Sequence, residues 1–506
     1  MTIPHWSSSL SKLAAELTQR RISDVMQENA GTITQQALGI TIDFTKNKLT
    51  QNVLELLLEQ AQQSTLKHSI AAMFSGEKIN QTEQRAVLHT LLRAQQSPLA
   101  EFSAVQSARE KAAQFSDKVR AGKLLGATGK PINTIVNIGI GGSDLGPKLL
   151  LEAFAAEIPS TLSVHCLSDV DYAHAQALLA SLDLSQTLFI LCSKSFTTWE
   201  TQTNAKLVIE QLKQKVSEAQ WAKHFAGVAV DQAAMTQFGI LPEHQFCIWD
   251  FVGGRYSVWS AVGLIARIAL GNATFERFLA GAAEMDEHFQ QADFAENLPV
   301  LLALVQIWNI NYLGHDVFIT LPYHHSLARF PDYQQQLEME SNGKAVNQAG
   351  EFLSFATCPY IFGQLGLNAQ HAFMQLVHQS QHKSYLEFIA VPDPSVSFAD
   401  DVAYRSCLAQ SRALMTGTDG VSNEKTCPGD RPSTTLVLEA MTPQMLGKLL
   451  ALYEHKVFVQ SVLWGINAFD QFGVELGKKI ATSLTESGAD DADLDVSTRA
   501  LIDMHQ

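Results

Sequence analysis

Apolar residues recur at steps of three and four through the first 130 residues, as in NVLELLLEQAQQ (52–63) and TEQRAVLHTLLRAQQ (82–96). That spacing predicts amphipathic helices, with no strand needed among them. The pattern changes near residue 133. TIVNIGI, TLSVHCLS (161–168) and TLFILCSKS (187–195) are short runs rich in β-branched and apolar residues, separated by the helical stretches PKLLLEAFAAE and DYAHAQALLASL. This alternation predicts βαβ units and a parallel sheet. A second series follows in HDVFITLPY (315–323), FATCPYIFG (355–363), YLEFIAVPD (385–393) and TTLVLEAM (434–441). The expectation is an α/β chain with two doubly wound parallel-sheet domains, over 121–285 and 286–484. A mainly helical extension over 1–120 precedes them. The long helical region after residue 441 leads through the acidic stretch GADDADLD to a final helix, STRALIDMH, within a C-terminal arm over 485–506.

Charge and cysteine usage narrow the partners. Lys and Arg number 36 against 51 Asp and Glu, a formal net charge of −15 with no basic block, so a nucleic-acid partner is not expected. The six cysteines form no C-x-x-C pair, which fits neither a disulfide framework nor a zinc ribbon and suggests a reducing compartment. The first residues lack a signal-peptide pattern, and no apolar run reaches the about 18 residues that span a bilayer. A cytoplasmic protein without a membrane partner is the expectation.

Ligands of open parallel sheets bind at the carboxyl ends of strands, so the strand-to-helix turns carry the candidate chemistry. After TIVNIGI stands Gly139-Ile140-Gly141-Gly142-Ser143-Asp144, a sequence suited to cradling a phosphate or sugar, or simply to tight packing. Asp144 breaks the dinucleotide fingerprint, and Pro147 breaks the triphosphate P-loop. Ser193-Lys194-Ser195-Phe196-Thr197-Thr198 offers four hydroxyls and an ammonium to a phosphate monoester; Thr197 and Glu200 also have capping-box spacing. Arg255, in the turn Val252-Gly253-Gly254-Arg255, is suited either to an ion pair or to a developing oxyanion.

In FPDYQQQLEMESNGK, Pro331 starts a helix and Asn342-Gly343 stops it, which places Glu338 and Glu340 in a last turn where the dipole disfavours negative charge. They read either as exposed residues at a frayed end or as a general base, with Gln336 four residues before Glu340 on the same face. His371 lies at a helix start, suited to proton transfer near neutral pH. His378 and His382 have the helical spacing of a metal pair, yet nothing completes a site, so no metal is expected. Gln471 and Lys478, seven apart, would share a helical face, although a surface lysine is the simpler reading.

Together MFSGEKINQTEQRAVLH, GIGGSDLGP, SKSFTTWET, GGRYSVWSAVGL, QLEMESNGK with QHAFMQLVHQ, and LLALYEHKVFVQSVLWGINAFDQFGVELGKK resemble the glucose-6-phosphate isomerase family, in the family's order. The resemblance implies two sugar-isomerase (SIS) domains, a homodimer with a shared active site, and interconversion of glucose 6-phosphate and fructose 6-phosphate without cofactor, in glycolysis and gluconeogenesis. It further implies Glu340 as the base acting through a cis-enediol and Arg255 as the enediolate stabiliser. His371 from the neighbouring subunit would open the ring with Lys478. Ser193, Lys194, Ser195 and Thr198 would hold the phosphate, and Gly142, Ser143, Gln336 and Gln471 would line the sugar site. Gln336 favours the glucose/fructose pair over mannose 6-phosphate. A non-catalytic sugar-phosphate module would need the SKSFTT cradle without the four catalytic groups.

Overall fold

The computed structural model describes residues 7–487 and 494–505, apart from 30, 218, 219 and 419–421. Residues up to Ala468 form one compact unit, and Phe469–Gln506 form a second. Among its described residues the first unit contains eleven strands: β1 Thr34–Ala37, β2 Ile40–Asp43, β3 Thr134–Ile138, β4 Ser163–Leu167, β5 Thr187–Cys192, β6 Phe225–Ala229, β7 Gln245–Cys247, β8 Val317–Pro322, β9 Tyr360–Gly363, β10 Ser384–Ala390 and β11 Ser433–Leu438. One sheet has the order β4-β3-β5-β6-β7, all parallel. The other has the order β1-β2-β11-β10-β8-β9, with β11, β10, β8 and β9 parallel. The predicted α/β class and seven of the predicted strands are present.

Central strands β3, β5 and β10 are buried at every position. Covered on both faces, they are mainly apolar and read as near-continuous runs in the sequence, with Asn137 and Glu387 buried among the apolar residues. Helices Asn272–Gln291 and Pro443–Trp464 pack against each other, the latter with 19 buried residues among 22. Glycines bring these helices together: a Cβ on Gly281 would stand 1.8 Å from Gln444 O, and one on Gly447 would stand 2.0 Å from Phe278 O. Alanine at either position would force the backbones apart.

Several expectations are corrected. The N-terminal region does contain strands: β1 and β2 form a hairpin, and β2 adds antiparallel to β11. Residues 82–96 do not form an α-helix: Arg85 bridges back to Asn80, and a 3-10 turn, His89–Leu92, follows. Every residue from Val87 to Leu92 is buried, and so is Arg93, whereas an amphipathic helix would turn one face to water. In the second unit, Gln471 precedes the 3-10 turn Phe472–Val474, and Lys478 lies on the next helix, Glu475–Ser487. The two therefore do not share a helical face. The acidic stretch lies mostly outside the described residues, and the final helix spans Val496–Asp503.

Candidate active site

The order β4-β3-β5 makes the boundary between β3 and β5 a topological switch point, where the chain's helices depart to opposite faces and leave a crevice. Two of the sequence-predicted turns flank it. After β3, Gly141 takes the left-handed conformation, with φ +59°. A Cβ on Gly142 would lie 2.1 Å from the Gly254 carbonyl oxygen, so only glycine lets this turn rest on the turn that carries Arg255. Asn137 Nδ2 donates to Ser143 O at 2.9 Å and pins the turn to its own strand. Burial pushes the neighbouring Asp144 carboxyl above its ordinary pKa, against the pull of Lys148.

After β5, Ser193 Oγ donates to Thr198 Oγ1 at 3.0 Å, and Thr197 Oγ1 donates to Ser195 Oγ at 2.8 Å. The helix here is Trp199–Lys213; its N-cap is Thr198, which makes no side-chain cap hydrogen bond. The capping-box reading of Thr197 is thereby corrected: its hydroxyl serves the turn. Phe196, buried, is held at φ +56°, a costly conformation for an aromatic residue. Lys194 departs from the simplest picture of a phosphate-facing cation. Its Nζ donates to Asp250 O and Val252 O, both at 2.9 Å, tying this turn to the one carrying Arg255. Burial lowers the ammonium's pKa from its ordinary value.

Opposite these turns, the segment after β8 forms helix Phe330–Gln334 and then a π-turn over Gln335–Glu340. The wider turn separates the two glutamates that the sequence left equivalent. Glu338 is buried, and its Oε1 accepts from Lys456 Nζ and Gln334 Nε2, both at 2.8 Å. Glu340 is half-buried, and its Oε2 faces Arg255 Nη1 at 3.5 Å. Gln336 joins the same group: its Nε2 stands 3.0 Å from where a Cβ on Gly141 would be. Lys344 Nζ donates to the carbonyls of Glu340 and Ser341, at 2.9 and 2.6 Å, and so satisfies the end of the turn.

Arg255 is held on both sides. Its Nε donates to Ser341 Oγ at 2.6 Å and its Nη2 to Ala468 O at 2.5 Å. Tyr256 Oη lies 2.9 Å from the same Ser341 oxygen. The structure thus joins Gly142, Ser143, Ser193, Lys194, Ser195, Thr198, Arg255, Gln336 and Glu340 through four mutually supporting turns. The helix-start reading of His371 is corrected: it stands exposed at the C-cap of the short helix Gly366–Gln370, ahead of the helix Met374–Gln379, and Gln471 and Lys478 belong to the second unit. His378 bonds to Gln410, and its helix ends at Gln379, so His382 is not its helical partner. Sequence reading missed Ser341 and Tyr256; the signal available was their position, each directly following a candidate catalytic residue.

A positioned carboxylate beside a guanidinium, next to a hydroxyl-rich helix N-terminus, can move a proton beside a carbonyl while stabilising the resulting negative charge. The phosphoglucose isomerase family profile matches residues 43–502. A glucose-6-phosphate isomerase of Paraburkholderia phymatum is 42% identical, with 99% of this chain and 98% of that protein covered. One from Helicobacter pylori is 41% identical, over 95% and 94% of the two chains. The crystal structure of a glucose-6-phosphate isomerase from Chlamydia trachomatis superimposes with a TM-score of 0.88 at 32% identity, covering 98% of each chain. This chain belongs to the phosphoglucose isomerase family of aldose–ketose isomerases.

Proposed function

We propose that the Glu340–Arg255 group performs the reversible isomerisation of D-glucose 6-phosphate to D-fructose 6-phosphate by ring opening and proton transfer through a cis-enediol. Glu340 takes the proton from one of the two carbons and returns it to the other. Arg255 faces the oxygen that becomes anionic. The 3.5 Å approach of Glu340 Oε2 to Arg255 Nη1, at a switch-point crevice, is the observation that carries this reading. A proton beside a carbonyl is weakly acidic, so base and cation must act on the same substrate together. Side chains supply both, and the reaction so read asks for no metal or nucleotide.

The hydroxyls of Ser193, Ser195 and Thr198, with the helix N-terminus at Trp199, receive the phosphate. Lys194 contributes by holding the cradle against the Arg255 turn. This remote binding energy can be expressed in the transition state. Gly142, Ser143, Gln336 and Gln471 line the sugar, and His371 from a neighbouring subunit opens the ring with Lys478. The reading therefore includes a homodimer, two sugar-isomerase domains at 121–285 and 286–484 flanked by the extension and arm, and a cytoplasmic location. Among the described residues, no helix is long and apolar enough to cross a membrane.

Purified protein given fructose 6-phosphate should form glucose 6-phosphate in a dehydrogenase-coupled assay, at a rate unchanged by chelator. Folded protein that forms none would overturn the reading.

A further inference from the structure

We propose that the Ser341 hydroxyl is a positioning residue for the isomerisation: it sets the orientation in which the Arg255 guanidinium faces Glu340, and the Tyr256 hydroxyl holds Ser341 in turn. The inference rests on the assignment of Arg255 and Glu340 given above.

An arginine side chain has several rotatable bonds, and a cation free to rotate would spend little time facing the base. Here two N–H groups on different nitrogens are tied to different parts of the chain, Nε to Ser341 Oγ at 2.6 Å and Nη2 to Ala468 O at 2.5 Å. Two such ties fix both the position and the plane of the guanidinium, with Nη1 at 3.5 Å from Glu340 Oε2. Ser341 is the peptide neighbour of Glu340, so one turn of chain carries the base and the anchor of its cation. The separation of the two reactive groups is thereby set locally, where a displacement of about 1 Å can cost on the order of a hundredfold in rate.

A hydroxyl suits this place because it accepts from Arg255 while sharing a second hydrogen bond with Tyr256 Oη, at 2.9 Å. All three residues are buried, so water does not compete for these bonds. Tyr256 is itself confined. Its ring lies 5.5 Å from the Arg255 guanidinium carbon and 4.7 Å from the centre of the buried His89 ring. Burial and the nearby Arg93 keep His89 neutral, so it packs there as an aromatic ring.

Steady-state kinetics with fructose 6-phosphate on Ser341→Ala, Ser341→Thr and Tyr256→Phe test this, with thermal unfolding measured alongside. Losing a buried hydrogen bond to a charged group should lower kcat about 10- to 100-fold in Ser341→Ala while KM stays within about threefold. Ser341→Thr keeps the hydroxyl and should retain a kcat above that of the alanine variant. Tyr256→Phe keeps the ring and should lower kcat about threefold to tenfold. The proposal is overturned if Ser341→Ala keeps its kcat, if its loss falls on KM alone, or if the threonine variant is no faster than the alanine one. Should Ser341→Ala fail to fold, an unchanged kcat in Tyr256→Phe overturns it. Arg255→Lys and Glu340→Gln are measured in parallel. Activity retained in both would sink the reading of the site itself, whereas activity lost in both and kept in Ser341→Ala sinks only the positioning role.

Discussion

Arg93 and Arg255 each meet carboxylates, and they do so in opposite ways. Arg93 is fully buried and bidentate on Asp286, Nε to Oδ2 at 2.8 Å and Nη2 to Oδ1 at 2.6 Å, while its Nη1 reaches Glu454 Oε2 at 2.5 Å. Trp259 Nε1 and His455 Nε2 complete the cluster on Glu454 and Asp286. Arg255, by contrast, approaches Glu340 through one nitrogen at 3.5 Å, and the carboxylate keeps 22% of its side-chain surface exposed. The first arrangement pins Asn272–Gln291 to Pro443–Trp464 and to the Arg93 turn. The second leaves the carboxylate oxygens uncommitted to a bidentate fork and reachable by a small molecule. Saturated geometry marks the structural pair, and looser geometry marks the reactive one.

Exchanging the two roles by mutation gives the largest expected contrast. Arg93→Met strands Glu454 and weakens the partnership of Asp286, and should cost about 3–5 kcal/mol of stability, with kcat per folded molecule little changed. Adding Glu454→Gln should recover part of that cost. Arg255→Lys should do the reverse, with kcat lower by about a hundredfold and an unfolding midpoint near that of the parent. Denaturant titration and initial rates on the same preparations check both; matching losses in stability and rate for the two arginines would erase the distinction.

A smaller effect should come from Glu387, buried behind the π-turn beside Lys456 and hydrogen-bonded by Tyr453. Burial raises its carboxyl from 4.5 to about 7, against the pull of Lys456. Below the unfolded-chain value both states are protonated and nothing is lost. Between that value and about 7 only the unfolded chain sheds the proton, so folding loses stability as pH rises, and above about 7 the cost is complete. The cost is on the order of 3–4 kcal/mol. Glu387→Gln should therefore gain on the parent in melting temperature from pH 5 to pH 8. A constant difference between the two across that range would remove Glu387 as the titrating group.

The sequence was most legible where a residue's neighbours along the chain decide its fate. Parallel strands buried on both faces are runs of apolar residues, so β3, β5, β8 and β10 could be read directly. The turns bearing Gly142, Ser193 and Arg255 announced themselves by glycines and hydroxyls at strand ends. Strand β1, TQQA, was not legible, since its polar residues join a sheet only through the hairpin and β11. Strand β6, FAGVA, was missed because alanine and glycine carry little strand signal; its Gly227 makes room for Met235. The helical spacing of residues 82–96 misled because Arg93 is drawn into the core by carboxylates 193 and 361 residues away. Likewise, nothing local separates Glu338 from Glu340. The π-turn does so, by giving one to Lys456 and the other to Arg255.

The most direct measurement is the turnover of Glu340→Gln with fructose 6-phosphate, paired with the rise in unfolding temperature that the sugar phosphate produces. Loss of the base should lower kcat by about a hundredfold to ten-thousandfold while the ligand-induced rise persists. A variant that binds and still turns over within a few-fold of the parent would contradict the account.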